Sequence, residues 1–100
     1  MKASIGSTVV AEAPTEDLVQ IEGNWYFPPS SLADGMFEKS PTAYHRPWKG
    51  DAQYWNVGSG DDALADGAWS YPDPIPSSFE RVGRDYSGYV AFDPQVTISQ

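Results

Sequence analysis

The feature that most constrains the fold is the absence of any helical pattern longer than about seven residues. Short runs of β-branched and aromatic residues alternate with glycine, proline, serine and aspartate along the whole chain, which has nine glycines and nine prolines among 100 residues. This spacing is typical of antiparallel β domains, whereas a parallel sheet needs crossover connections of roughly a dozen residues or more. The sequence predicts an all-β, mainly antiparallel fold, a compact two-sheet sandwich or half-open barrel with one or two short helical turns.

The runs with strand character form predicted hairpins and single strands. Three hairpins are expected: Lys2–Ile5 with Thr8–Glu12, Leu18–Ile21 with Asn24–Phe27 across Glu22-Gly23, and Tyr89–Phe92 with Val96–Ile98 across Asp93-Pro94. The longest candidate strand is Trp48–Val57, and Ala68–Tyr71 follows after an exposed turn at 58–62. Short helical turns are predicted at Ser30–Asp34, at Met36–Ser40 and at Pro76–Val82, with an ordered loop over Ser40–Pro47.

Length and charge limit the classes of partner. A chain of 100 residues forms one domain, residues 1–100, and its fourteen aromatic residues supply much of the core. Fourteen acidic residues against six basic ones give a net charge of −8, so we expect neither an extended nucleic acid nor a membrane as partner. No secretory signal and no apolar run of roughly 18 residues is present, which favours a soluble cytoplasmic protein. With no cysteine and one histidine, we expect no metal and no cofactor.

Four motifs carry a resemblance to a known family: Glu22-Gly23-Asn24-Trp25-Tyr26-Phe27-Pro28-Pro29, the segment Pro47–Val57, Ala68-Trp69-Ser70-Tyr71-Pro72 and Tyr89-Val90-Ala91-Phe92. From about Ser7 to Ile98 the chain resembles the small all-β family called domain of unknown function 427, some of whose members are labelled nucleotidyltransferases. In that family a cysteine usually precedes Pro-Trp-Lys-Gly, where this chain has Arg46, so a mechanism that uses a thiolate cannot operate here. No Gly-rich phosphate loop is present, and Asp61-Asp62 fits a solvated turn better than a magnesium site, so the motifs do not support nucleotidyl transfer.

Lys49 is the first candidate for a functional side chain. It lies between Trp48 and Gly50, which can leave room for a ligand and partly desolvate the ammonium; alternatively, its stem covers Trp48 while its head stays in water. Glu22 is the preferred carboxylate partner and Asp51 the alternative, although Glu22 also fits a turn carboxylate bonded to its own hairpin. We expect Lys49 at the surface and Trp48 in the core.

Three further residues complete the candidate set. His45 fits a general base or a hydrogen-bond donor to an anion, or a loop histidine bonded to backbone. Arg46 fits an anion-binding fork or a surface ion pair. Tyr54 shares a predicted strand face with Trp48, which indicates either a shallow pocket floor or a close contact between sheets.

Three functions are compatible with the sequence. The favoured one is a domain that binds a small, anionic molecule or a peptide around the Pro-Trp-Lys-Gly motif, through Lys49, His45, Arg46, Glu22, Trp48 and Tyr54. The second is an enzyme in which Lys49 or His45 forms an acid–base pair with Glu22. The third is a module that presents an aromatic patch to a partner protein, including a second copy of itself as a homo-oligomer. Convergence of Lys49, His45 and Glu22 in one concavity would favour the first two.

Overall fold

Nine β-strands and one short α-helix make up the protein, whose computed structural model describes all of residues 1–100. The strands are β1 (Lys2–Ile5), β2 (Thr8–Glu12), β3 (Val19–Ile21), β4 (Asn24–Tyr26), β5 (Phe37–Arg46), β6 (Gly50–Val57), β7 (Leu64–Ser70), β8 (Val90–Phe92) and β9 (Thr97–Ser99). Helix α1 (Ser77–Val82) precedes β8, and short 3-10 turns occupy Thr15–Asp17, Pro29–Ser31 and Gly60–Asp62. No helix has the length and hydropathy required to cross a membrane.

Every strand pairing in the structure is antiparallel, which confirms the predicted fold class. The strands form three sheets, in the orders β2-β1-β9, β3-β4 and β5-β6-β7-β8, and these do not close into a barrel. A reciprocal pair of hydrogen bonds between Phe27 and Val90, 2.8 and 2.9 Å long, fastens the end of the β3–β4 hairpin to β8. The hairpin is therefore held at one edge of the four-stranded sheet.

The β3–β4 hairpin forms where the sequence predicts it. Its two turn residues, Glu22 and Gly23, have φ values of 53° and 84°. Two successive positive φ values are those of a type I′ turn, whose twist matches that of the flanking strands. Because Glu22 is not glycine, this conformation must be stabilised by its surroundings, and the side-chain contacts described below contribute to that.

Two hydrophobic clusters form the core, and aromatic rings contribute to both. The first contains Phe27, whose ring meets the ring of Phe92 edge to face at 5.5 Å. The second lies beneath the β3–β4 hairpin, where the ring of Tyr86 meets those of Tyr26 and Tyr71 edge to face, at 6.4 Å in both cases. This second cluster supports the candidate site.

Several local predictions were wrong. Met36–Ser40 is not a helical turn and Ser40–Pro47 is not a loop, because β5 runs through both and pairs with β6. Its pairing register with β6 shifts between Lys39 and Ala43, around Pro41. The strand therefore lacks the usual alternation of buried and exposed side chains. The helical turn expected at Ser30–Asp34 lies instead at Pro29–Ser31 as a 3-10 turn.

The predicted final hairpin is also wrong. The strand β8 pairs with β7, and β9 pairs with β1 in a different sheet. Asp93-Pro94 therefore connects two sheets and does not turn the chain back on itself. Elsewhere, the pairing of β1 with β2 and the helical turn at Pro76–Val82 are confirmed, the latter as α1.

Candidate functional site

A polar pocket of about 160 Å³ opens between the β3–β4 hairpin, the β5–β6 turn and β7. Its walls combine tyrosine and tryptophan rings with one carboxylate and two basic side chains. The lining residues are Glu22, Asn24, Tyr26, Tyr44, Arg46, Lys49, Tyr54, Trp69 and Tyr71.

Lys49 is placed by the tight turn that joins β5 to β6. The amide of Lys49 donates to the carbonyl of Arg46 (3.0 Å), and Gly50 follows with φ 108°. A turn followed by a glycine with positive φ is a common way to close a three-residue hairpin loop. The carbonyl of Lys49 also accepts a 2.8 Å hydrogen bond from the amide of Ile75, which anchors the turn to the segment before α1.

The side chain of Lys49 is buried, contrary to the surface position expected from the sequence. The residue is only 2 % exposed. Its ammonium nitrogen lies 4.9, 5.0 and 5.5 Å from the ring centres of Trp48, Tyr71 and Tyr26. Contacts between a cation and several ring faces are favourable, particularly away from water.

Glu22 is the counter-ion of two basic side chains. Lys49 Nζ lies 3.0 Å from Glu22 Oε1, and Arg46 Nη2 lies 2.5 Å from Glu22 Oε2. The hydrogen bond from Lys49 and the positive charges of Lys49, Arg46 and Arg81 lower the pKa of Glu22, although its partial desolvation acts in the opposite direction. Glu22 is therefore anionic at neutral pH, and two cations share a single carboxylate.

The hydroxyl group of Tyr26 lies beside this ion pair. Tyr26 Oη accepts hydrogen bonds from Trp69 Nε1 (3.0 Å) and from Lys49 Nζ (3.4 Å). Burial raises the pKa of Tyr26 above its usual value, and it raises the pKa of Tyr71 further. Both phenols are neutral near pH 7 and keep their hydrogens.

His45 lies outside the pocket. It precedes Arg46 on β5, and because successive side chains of a strand point to opposite faces, the two diverge. His45 Nδ1 lies 2.8 Å from Asp51 Oδ1 across the β5–β6 ladder, and both side chains are exposed. Asp51 is thus the partner of His45 and not, as the alternative pairing proposed, of Lys49. The structure brings Lys49 and Glu22 together without His45.

Trp48 lies in a neighbouring groove and is only half-buried, so the expected order of burial for Trp48 and Lys49 is reversed. The guanidinium carbon of Arg81 lies 4.2 Å from the centre of the Trp48 ring. This groove, of about 180 Å³, is lined by Gln20, Ile21, Glu22, Trp48, Arg81 and Val82. Glu22 lines both the groove and the pocket. The strand β6 begins only at Gly50, so the alternation that placed Trp48 beside Tyr54 does not extend to Trp48.

Of the six candidate residues, four line the pocket: Glu22, Arg46, Lys49 and Tyr54. Sequence reasoning missed Asn24 and four aromatic residues, which are Tyr26, Tyr44, Trp69 and Tyr71. The aromatic residues were missed because rings in a β domain are expected in the core. The signal in the sequence was the choice of aromatic residue. A tyrosine hydroxyl and an indole N–H need a hydrogen-bond partner when buried, whereas phenylalanine fills a core without that requirement.

The donor set does not indicate a metal centre. No group of three or more histidine, cysteine, aspartate or glutamate side chains is close enough to hold a metal ion. The pocket has one carboxylate, and both of its oxygens accept hydrogen bonds from basic side chains. Its remaining polar atoms are mostly N–H and O–H donors, which suit an acceptor ligand.

Comparison with known proteins identifies a family. Residues 1–99 match the family described as Domain of unknown function (DUF427). No curated protein shows a significant match to the chain.

Proposed function

The chain belongs to the DUF427 family, and we propose that this member is a binding domain for a small anionic molecule. The ligand lies in the pocket above Lys49, with its charged group against Arg46 and its planar or apolar part against the rings of Tyr44, Tyr54 and Trp69. The main support for this proposal is the local charge. The pocket holds two cations and one carboxylate and so has a net positive charge, although the chain as a whole has a net charge of −8.

Arg46 is the basic group best placed to meet a ligand. Its side chain is 36 % exposed, whereas that of Lys49 is 3 % exposed. A guanidinium has five N–H donors in a planar fork, so Arg46 can keep its contact with Glu22 and still bind an oxyanion. Lys49 adds charge from below, where the surrounding rings reduce screening by water.

The same geometry favours binding over acid–base catalysis. A general base works best when its pKa lies near the operating pH. Glu22 accepts from two cations, and its lowered pKa makes it a weak base at neutral pH. His45, the other candidate base, is paired with Asp51 outside the pocket.

A matched pair of ligands tests the proposal. Benzoate and benzamide have nearly the same size and ring, but only benzoate carries a charge. We expect isothermal titration calorimetry to show that benzoate binds more tightly than benzamide by roughly tenfold or more, the difference expected of a charge-assisted hydrogen bond. Equal affinity, or no binding of either compound, would contradict the proposal.

A matched pair of variants locates the site. Arg46→Gln should weaken benzoate binding by roughly tenfold, because it removes the exposed cation. Arg84→Gln makes the same change in charge outside the pocket, where Arg84 lies over the ring of Tyr89. Binding should be unchanged in this control, and equal losses in both variants would mean that only net charge matters.

A further inference from the structure

The hydroxyl group of Tyr26 has a hydrogen for which the chain provides no acceptor. Its oxygen accepts from Trp69 Nε1 at 3.0 Å and from Lys49 Nζ at 3.4 Å. Neither an indole N–H nor an ammonium can accept a hydrogen bond in return. No other hydrogen bond involves this hydroxyl, so its own O–H has no partner within the protein.

This unpaired donor lies at the floor of the pocket. Tyr26 is 1 % exposed, and its ring is enclosed by the second core cluster. Both side chains that donate to its oxygen, Lys49 and Trp69, line the pocket, as Tyr26 itself does. The hydroxyl end of the ring is therefore the part that the pocket reaches. Buried donors are nearly always paired, and an unpaired one lowers stability.

The polar groups around this hydroxyl are also donors. Lys49 has three N–H bonds and uses two of them, on Glu22 and Tyr26. Tyr71, which lines the pocket and is 2 % exposed, makes no hydrogen bond within the chain through its hydroxyl. A ligand that satisfies this set must present several acceptor oxygens.

We infer that Tyr26 donates its O–H to an anionic oxygen of the ligand, and that the pocket thereby selects carboxylates over anions of equal charge that accept hydrogen bonds poorly. Tyr26 is then the residue that determines specificity, while Arg46 and Lys49 provide attraction to any anion. This inference rests on the proposed function, because it names the class of ligand that the same pocket takes.

The experiment compares two probes of like charge. Benzoate and phenyltrifluoroborate are both monoanions with a phenyl ring, but the fluorines accept hydrogen bonds far more weakly than carboxylate oxygens. Calorimetric titration of the unaltered protein should give an affinity for benzoate roughly tenfold higher than for phenyltrifluoroborate. This comparison needs no substitution and is independent of any effect on folding.

Two variants then assign the preference to Tyr26. Tyr26→Phe keeps the ring and should bring the two affinities to nearly the same value. Tyr86→Phe is the matched control, because Tyr86 is also fully buried and its hydroxyl donates to Ser78 Oγ (2.8 Å) away from the pocket. The preference for benzoate should persist in this control.

The outcomes separate the inference from the proposed function. If both monoanions bind equally well to the unaltered protein, or if Tyr26→Phe keeps the full preference, the role of Tyr26 is wrong while anion binding stands. If neither monoanion binds, both are wrong. A preference that Tyr26→Phe abolishes and Tyr86→Phe preserves establishes the hydroxyl of Tyr26 as the selective donor.

Discussion

Lys49 Nζ lies 3.0 Å from Glu22 Oε1, joining the β5–β6 turn to the tip of the β3–β4 hairpin. The two residues are 27 positions apart in the chain, and each lies in a turn that needs positive φ at or beside it, at Glu22 itself and at Gly50. The ion pair therefore fixes the relative position of two hairpins and forms one wall of the pocket.

The first prediction concerns the burial of Lys49. Lys49→Ala should lower the free energy of unfolding by about 2–4 kcal/mol, because it leaves a cavity between three rings and removes one of the two cations paired with Glu22. Lys49→Met keeps most of the volume and should cost about 1 kcal/mol. Urea denaturation measures both. Lys39→Ala, at an exposed lysine of β5, should change stability by less than about 0.5 kcal/mol; a similarly small effect of Lys49→Ala would contradict the buried position.

The second prediction concerns competition between Glu22 and the ligand. Glu22→Gln removes the only carboxylate of the pocket and leaves the charges of Arg46 and Lys49 uncompensated. Affinity for benzoate should rise by roughly tenfold, since a like charge within a few ångströms opposes binding by about that much even when partly screened. Glu12→Gln, on the exposed side of β2, makes the same change in charge elsewhere and should have no effect. A lower affinity in Glu22→Gln would show that Glu22 contacts the ligand favourably.

The third prediction concerns the dependence of stability on pH. The pKa of Glu22 is lowered from its ordinary value of 4.5 by the hydrogen bond from Lys49 and by nearby positive charges. Between that value and the lowered one, the unfolded chain binds a proton that the folded chain does not, so stability falls as the pH drops through the folded pKa. Urea denaturation at a series of pH values from 6 downward measures this dependence. Below about pH 4.5, the free energy of unfolding should fall less steeply with decreasing pH for Glu22→Gln than for the unaltered protein. The same dependence on pH in both proteins would mean that the ion pair contributes nothing to stability.

The fourth prediction concerns Asp66 on β7, which has a positive φ of 54°. Its Oδ2 accepts a 2.7 Å hydrogen bond from Thr42 Oγ1, whereas its buried Oδ1 has no partner. Asp66→Ala loses the hydrogen bond and keeps the unfavourable φ, so it should destabilise the protein by about 1–2 kcal/mol. Asp66→Gly relieves the φ and should cost about 0.5–1 kcal/mol less. Thermal unfolding of the two variants gives the comparison, and the reverse order would rule out backbone strain as the cause.

The sequence predicts the elements whose pairing is local. The β3–β4 hairpin can be predicted from a short segment, since Glu22-Gly23 forms a two-residue turn between two short runs of alternating apolar and polar residues. By contrast, β5 has one buried residue, Ser40, and contains Pro41, so neither its burial pattern nor its composition resembles a strand. Its conformation depends on pairing with β6. The partners of β8 and β9 are likewise distant in sequence, and a local pattern contains no information about them.

Prediction of the site divides in the same way. Lys49 and Glu22 could be chosen because each stands beside a glycine within a motif that carries the family resemblance, and Arg46 because it directly precedes Pro-Trp-Lys-Gly. The burial of Lys49 could not be predicted, because the side chains that enclose it, such as Tyr26 and Tyr71, come from strands or loops far away in the chain. Proximity in sequence groups His45 with them, whereas strand alternation turns its side chain to the opposite face.

The pairing of β1 with β9 has a consequence for how the protein folds. Ala3 lies opposite Ile98 in that ladder, so this sheet joins strands that are far apart in the chain. Without β9, β1 pairs with β2 alone, and a two-stranded ribbon by itself is marginally stable in water. The three-stranded sheet therefore depends on a contact of high sequence separation, which is the kind of contact that slows folding.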